Sequence, residues 1–209
     1  MAYLVFVRHG KSEWNKLGLW TGWTDVSLNE DGVKEARETA HKLKDIPFDT
    51  VYISSLKRAK QTYDEIKSVL GFHLPEIFTK ALDERDYGIY NGKDKWQVKE
   101  QVGEQEWVKI RRSWDHPIPE GETMKMVYDR VVPFYQKCIF ADLKQGKNIL
   151  VVAHGNSLRA LEKYLDALSN EELVDLEFGI GEAHVYKIDR EGKVLSKEIR
   201  AENPNKGAI

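Results

Sequence analysis

The feature that most constrains this chain is an internal echo. The stretch LVFVRHGKS at residues 4 to 12 returns as ILVVAHGNS at 149 to 157, with four of nine positions identical: Val, His, Gly and Ser. Each copy is a short apolar run that breaks into His-Gly. Between these two lies another, the second of three in chain order: Thr50-Val51-Tyr52-Ile53, which ends in Ser54-Ser55. Such runs suit strands buried on both faces, although alone they also fit buried helix. The neighbouring patterns decide between the two. After the second run Leu56, Ala59, Tyr63, Ile66 and Leu70 recur at helical spacing, with Ser54 or Ser55 placed to cap. After the third, Leu158, Leu161, Leu165 and Leu168 do the same. Val33, Ala36, Ala40 and Leu43 mark a helix between the first two runs, opened by a Ser27/Glu30 capping box or by Asn29. Strand alternating with helix predicts a three-layer α/β/α sandwich around a mostly parallel central sheet.

The middle of the chain breaks this rhythm. Residues from about 83 to 147 hold Trp96, Trp107, Trp114 and the closely spaced Pro117 and Pro119, with helical stretches and no convincing strand. Met124, Val127, Val131 and Cys138 fit one face of a long helix that Pro133 should kink. This region is expected to be an inserted helical lid within a single domain spanning 1–209. Val185–Asp189 and Val194–Ile199, around Glu191-Gly192, read as a closing hairpin, and Ala201–Ile209 as a mobile tail.

Composition removes several function classes. A chain of 209 residues buries roughly 70% of its unfolded surface, so it needs no disulfide or structural metal. Its single cysteine, Cys138, provides neither. Thirty-two Lys and Arg against 34 Asp and Glu leave a net charge of −2, which argues against a nucleic-acid or anionic-membrane binder. The longest apolar run, Met1–Val7, is far short of the ~20 residues of a membrane span and has no charged region before it. Cytoplasmic residence is the expectation. An anionic ligand must then be met by local positive charge.

That charge is visible. Ligands of open α/β sheets sit beyond the carboxyl ends of the strands, so His9 and His154 should face one crevice. Arg8 precedes the first histidine, and Arg58 lies in the first turn after the second strand. Two histidines and two guanidinium forks around one anion suit a phosphoryl site, and a neutral imidazole is a competent phosphoryl acceptor. No metal is expected, because HExxH-type spacing is absent and the arginines would repel a cation.

The chain also resembles the histidine phosphatase superfamily, and within it the 2,3-bisphosphoglycerate-dependent phosphoglycerate mutases. The resemblance rests on Arg8-His9-Gly10, Ser12-Glu13-Trp14-Asn15, Thr21-Gly22-Trp23, Arg58, Glu84-Arg85-Asp86-Tyr87-Gly88, Asn91-Gly92 with Lys95, Arg111-Arg112 and the run from His154 to Leu161. It implies that His9 is phosphorylated during turnover, that Glu84 exchanges the substrate hydroxyl proton, and that His154, Arg8 and Arg58 hold the transferring group. It further implies a substrate-contacting set of Gly10, Lys11, Ser12, Glu13, Trp14, Asn15, Thr21, Gly22, Arg85, Asp86, Tyr87, Lys95, Arg111, Arg112, Gly155 and Asn156. By helical spacing Arg111 borders the Trp107, Ile110 and Trp114 face, and Arg112 turns away.

The implied activity is interconversion of 3-phosphoglycerate and 2-phosphoglycerate, primed by 2,3-bisphosphoglycerate without a metal. The implied partner is a small phosphorylated carboxylic acid, and a homo-oligomer is compatible with the sequence. Two other readings stand beside it: a histidine-type phosphatase acting on a small phosphorylated metabolite, and a non-catalytic module that binds such a ligand. Three departures stand out, of which the first two flank the site and the third lies near the sheet. Lys11 replaces the usual Glu, Asp83 the usual Asn, and Gly179-Ile180-Gly181-Glu182 stands where Thr-Gly-Val-Pro is usual.

Overall fold

The apolar runs are strands in the computed structural model, which describes residues 1–204. Strand β1 (Ala2–Arg8) leads through a short α1 (Glu13–Lys16) to α2 (Glu30–Lys42), and β2 (Thr50–Ser54) leads to α3 (Lys57–Leu70) and β3 (Glu76–Thr79). Helices α4 (Lys95–Val102), α5 (Glu104–Arg112), α6 (Met124–Phe134) and α7 (Phe140–Lys144) follow. Then come β4 (Ile149–Ala153), α8 (Gly155–Leu165), α9 (Asn170–Asp175) and a closing pair, β5 (Ala183–Ile188) and β6 (Val194–Arg200). The sheet order is β3-β2-β4-β1-β5-β6. The first four strands in that order run parallel, and the closing pair is antiparallel.

Alternation along β1 explains the layers. Leu4 and Phe6 join Tyr52, Val151 and Leu161 in a core on one face. Val5 and Val7 join Ile53, Ala59, Ile66 and Val152 on the other. Each such side chain contributes about 1.5–3 kcal/mol on burial, so two apolar faces are what hold a strand in the middle layer. Strand β3 was not foreseen, because its four residues lie at a sheet edge and are half-exposed or exposed.

Several helix ends differ from the sequence expectation. Asn29, rather than Ser27, caps α2 by accepting from the Gly32 amide. Neither Ser54 nor Ser55 caps α3: Leu56 takes the N-cap position with no side-chain bond, while Ser54 Oγ accepts the Leu56 amide and both hydroxyls donate to Asp83. Helix α8 ends at Leu165, short of Leu168, where Ala167 turns the chain with a positive φ of 54°.

The inserted region is narrower than 83–147. Met124, Val127, Val131, Tyr135, Ile139 and Leu143 are buried in the sheet-face core, so α6 and α7 form a layer of the sandwich rather than a lid. Pro133, which has no N–H to donate, is followed by a π-helical turn at Tyr135–Ile139 that lets the helix continue. Cys138 is half-buried against that core rather than inside it. A separate cluster of Trp20, Val98, Trp107, Ile110 and Ile118 makes α4, α5 and the loop up to Thr123 a small cap with its own core. Among the described residues no helix is long and apolar enough to cross a membrane. Of the expected tail, residues 205–209 lie outside the described residues; before them, Asn203 bonds to Glu182 and Ile180.

Candidate active site

Parallel register sets Arg8 opposite Ala153, so the histidines that follow β1 and β4 emerge side by side. Their ring centroids are 4.9 Å apart. His9 Nδ1 lies 2.7 Å from the Gly10 carbonyl oxygen. A carbonyl only accepts, so Nδ1 carries the proton and Nε2 presents its lone pair. Arg58 Nε donates to that Nε2 at 3.3 Å, while its two terminal nitrogens donate to the Gly22 and Thr24 carbonyls at 2.9 and 3.1 Å. Burial, then Arg58 and Arg8, hold the His9 pKa well below 6.5, which keeps the ring neutral. Gly10 is required behind it, because a Cβ there would sit 2.2 Å from the Gly32 carbonyl oxygen.

His154 is oriented by a relay. Ser54 Oγ donates its one proton to Asp83 Oδ1 at 2.7 Å, so at the 2.7 Å contact with His154 Nε2 the ring must donate. Its Nδ1 is buried without a partner among the described residues. Burial, then Arg58, His9 and Arg8, push the His154 pKa well below its ordinary value. Asp83 accepts only, from Ser54 and from the Ser55 amide and hydroxyl.

Glu84 reaches the same place from the loop after β3. Trp23 Nε1 and Arg130 fix its backbone carbonyl at 2.6 and 2.9 Å. Its carboxylate accepts the Arg85 amide at 2.8 Å and, from the first turn of α8, the Asn156 amide at 3.1 Å.

His9, Arg58 and Glu84 line a cleft of about 260 Å³. Of the expected residues it brings together Arg8, His9, Lys11, Asn15, Thr21, Gly22, Arg58, Glu84, Tyr87, Lys95, Arg111, Arg112, Gly155 and Asn156. Arg112 faces the cleft after all, where it pairs with Glu177, and Arg111 stacks on Trp107 at 4.4 Å. Positive charge from α4 and α5 therefore faces positive charge from the strand ends. Lys95 is pushed down to about 8 by burial and then by Arg8 and Arg111. Burial brings Arg58 and Arg112 down to about 10. Arg8 Nε is likewise buried without a partner among the described residues. Buried cations that depress one another are relieved by an incoming anion.

Other expected contacts fall outside the cleft wall. Ser12 is buried as the N-cap of α1, Glu13 points to solvent, and Trp14 packs beside Gly92. The Arg85 guanidinium turns inward to the Glu122 and Ile110 carbonyls, and Asp86 accepts from Gly88 and Asn91. Gly10 and His154 lie behind the lining rather than in it. The lining also includes residues not foreseen: Leu19, Trp20, Glu35, Arg159, Glu177, Phe178, Ile180 and Asn203. Arg159 carried a signal, since it lies one turn beyond Asn156 on α8 and donates to it at 2.9 Å. Glu35 comes from α2 and the others from loops, without one.

A mostly parallel sheet ending in paired histidines, with arginines and a cap around them, defines a class, and the chain belongs to the histidine phosphatase superfamily (branch 1), whose family model matches residues 4–199. Among relatives, the chain is 45% identical to the 2,3-bisphosphoglycerate-dependent phosphoglycerate mutase of Parvibaculum lavamentivorans, covering 95% of this chain and 96% of that one. It is 40% identical to the phosphoglycerate mutase of Schizosaccharomyces pombe, covering 94% of each. Among solved structures, the alpha-ribazole phosphatase of Shigella flexneri superposes with a TM-score of 0.78 at 25% identity, covering 95% and 94%. A mycobacterial glucosyl-3-phosphoglycerate phosphatase shares the fold at 21% identity, with a TM-score of 0.81 over 97% and 99%.

Proposed function

We propose that this protein is a phosphoglycerate mutase that interconverts 3-phosphoglycerate and 2-phosphoglycerate through phosphohistidine. The observation that carries the reading is the two-ended cleft: Arg8, His9 and Arg58 at the strand ends, and Lys95, Arg111 and Arg112 on the cap. A phosphatase needs the first cluster alone. A small acid bearing both phosphate and carboxylate needs both. Relatives at 40–45% identity that carry the mutase name support the same reading.

His9 Nε2 is the phosphoryl acceptor, since it carries the ring's lone pair, met only by the long Arg58 contact, while Nδ1 donates to Gly10. When bound, 2,3-bisphosphoglycerate supplies the phosphoryl group that primes His9; the unpartnered Arg8 Nε fits such an anion, and His154 Nδ1, a lone pair in the neutral ring, fits it once the anion has drawn a proton onto it. As phosphohistidine forms, the N–P bond grows while the O–P bond breaks, and Glu84 delivers a proton to the departing oxygen. In the reverse transfer Glu84 takes the proton from the attacking substrate hydroxyl. Arg8 and Arg58 neutralise the equatorial oxygens, joined by His154 when the arriving phosphoryl dianion protonates its Nδ1, a contribution of several kcal/mol in a site shielded from water. Residues 1–209 act as one catalytic domain, and the cap from Gly88 to Thr123 closes over the ligand, holding its second anion and excluding water that would hydrolyse phosphohistidine. Lys11, Asn15, Thr21, Gly22, Tyr87, Gly155 and Asn156 complete the ligand-contacting set.

The deciding experiment incubates the protein with 3-phosphoglycerate, with and without catalytic 2,3-bisphosphoglycerate, and follows 2-phosphoglycerate and inorganic phosphate together. The mutase reading expects primer-stimulated 2-phosphoglycerate. Inorganic phosphate as the main product would replace it with a phosphatase, and tight binding without turnover with a binding module.

A further inference from the structure

Behind the cleft lies a buried charged cluster that the mechanism above does not use. Glu162 on α8, Glu182 in the loop before β5, and His184 on β5 are almost wholly excluded from solvent. His184 Nδ1 lies 2.5 Å from Glu162 Oε1, and His184 Nε2 lies 3.3 Å from Glu182 Oε2. Both ring nitrogens thus face carboxylate oxygens, the arrangement of a doubly donating imidazolium. Lys197 on β6 and the Tyr186 hydroxyl also meet Glu162, and both reach Asp166 at the end of α8.

The cluster occupies the departure noted in the sequence, where Glu182 closes a stretch that lacks the usual proline. Glu182 Oε2 accepts the Gly179 amide at 2.7 Å, and Oε1 accepts the Asn203 amide at 3.0 Å. The Phe178 ring lies flat on His184, with centroids 3.8 Å apart. This segment in turn grips Arg8 at two points. The Glu182 carbonyl accepts the Arg8 amide at 3.1 Å, and the Phe178 carbonyl accepts the Arg8 guanidinium at 2.6 Å.

We propose that Glu162, His184 and Glu182 are positioning residues for Arg8: His184, clamped between two buried carboxylates, sets the shape of residues 178–182, in which the Glu182 carbonyl holds the Arg8 backbone and the Phe178 carbonyl holds its guanidinium at the anion site. The charge pair does the work that a rigid proline would do, and unlike a proline it titrates. Burial opposes protonation of His184, but hydrogen bonds from Glu162 and Glu182 outweigh it and raise the pKa. The groups facing the triad are Lys197 on β6, Asp166 and Tyr186 around Glu162, and Arg8 on β1. When His184 loses its proton at alkaline pH, two buried carboxylates face each other across a neutral ring and the grip on Arg8 loosens.

The inference rests on Arg8 binding a phosphoryl-like anion, so the test reads anion binding directly. Orthovanadate affinity is measured from pH 6 to 9 for the wild type and for the triple variant Glu162→Val, Glu182→Val, His184→Leu, whose apolar side chains replace the buried ions without leaving one unpaired. The variant is expected to unfold at a similar or higher temperature, yet to bind vanadate about tenfold more weakly near pH 6.5, the equivalent of one Arg–anion hydrogen bond. The ratio of the two affinities, from which the ionisation of vanadate itself cancels, should fall toward one as pH rises through the His184 titration. With 3-phosphoglycerate, kcat should drop more than KM changes, because the cap cations are untouched. Glu182→Gln, which keeps an acceptor for Gly179 but removes the charge, should lose affinity in the same direction and keeps the test decisive if the triple variant does not fold. Equal vanadate affinities across the pH range would overturn the proposal. A wild type that binds vanadate in a triad-dependent way but does not isomerise would refute the mutase reading and leave the positioning role standing.

Discussion

Arg58 Nε donates to His9 Nε2 across 3.3 Å, so in the resting site a guanidinium occupies the lone pair that must attack phosphorus. The contact is long for a hydrogen bond and easily exchanged for a phosphoryl oxygen, whereas the other two Arg58 nitrogens stay fixed to Gly22 and Thr24. Anion arrival therefore frees the nucleophile and engages the arginine in one step.

Arg58→Lys should be costly although it keeps the charge, because an ammonium cannot span His9 and both carbonyls at once. A loss of about 10²-fold in kcat/KM is expected, comparable to removing one preorganised donor to a transition-state oxygen. A coupled mutase assay reads this; activity within a factor of three of wild type would show that charge alone suffices.

Glu84→Gln should separate the two halves of the chemistry. The amide oxygen can still accept from Asn156, so the site should hold its shape, but no proton is exchanged. Isomerisation is expected to fall at least about 10²-fold. Acid-labile labelling of His9 by radiolabelled 2,3-bisphosphoglycerate should still approach completion over long incubation, and His9→Ala should abolish it. Equal loss of labelling and isomerisation would remove Glu84 from the proton-transfer role.

Lys95 should impose an alkaline limit. Its pKa is lowered to about 8, and only the protonated form attracts the second anion of the substrate. The free-enzyme profile of kcat/KM should therefore decline above about pH 8. Lys95→Arg should move that decline to higher pH, while Lys95→Met should raise KM across the range.

Stability should peak near pH 6.5, and the sign follows from the three buried histidines. His9 and His154 have lowered native pKa values, so below 6.5 the unfolded chain binds protons that the native state refuses, and stability falls on acidification. Each costs up to about 1.4 kcal/mol per pH unit while it remains neutral in the native state. His184 has a raised native pKa, so its contribution is complete below 6.5 and is lost as pH climbs through the native value. Thermal unfolding across pH 5 to 9 measures both limbs, and saturating phosphate should raise the midpoint, since it adds about 2.7 kcal/mol of stability at 100 times its Kd.

Gly32→Ala should test how closely α2 abuts the nucleophile loop. A Cβ there would lie 2.1 Å from the Lys11 carbonyl oxygen, and backbone cannot swing aside as a flexible side chain can. The expected destabilisation is about 1–3 kcal/mol, with a disproportionate loss of activity because Gly10 sits in the same contact.

What could be read in the sequence was whatever depends on local periodicity. Residues at 4–7, 50–53 and 149–152 announce buried strands because both faces must be apolar, and a parallel strand delivers whatever follows it to one edge. That placed His9, His154, Arg8 and Arg58 at the sheet edge before any coordinates. Glu84 and Lys95 came from motif resemblance, since nothing in a charged loop or a lone lysine encodes its distance from His9.

Only the tertiary structure decided which charges face the cleft. Arg111 and Arg112 both do, although helical spacing separates them. Arg85, from the same motif as Glu84, does not, because buried carbonyls of Glu122 and Ile110 claim its donors. Likewise Ser54 is not a helix cap but the middle of an Asp83–Ser54–His154 relay, joined from three segments far apart in sequence. By itself the sequence determined the sheet, the histidine pair and their arginines, since strand burial and parallel winding follow from local pattern. Hydrogen-bond competition among loops is long-range, and folding alone settled the cap's charge and the buried triad behind Arg8.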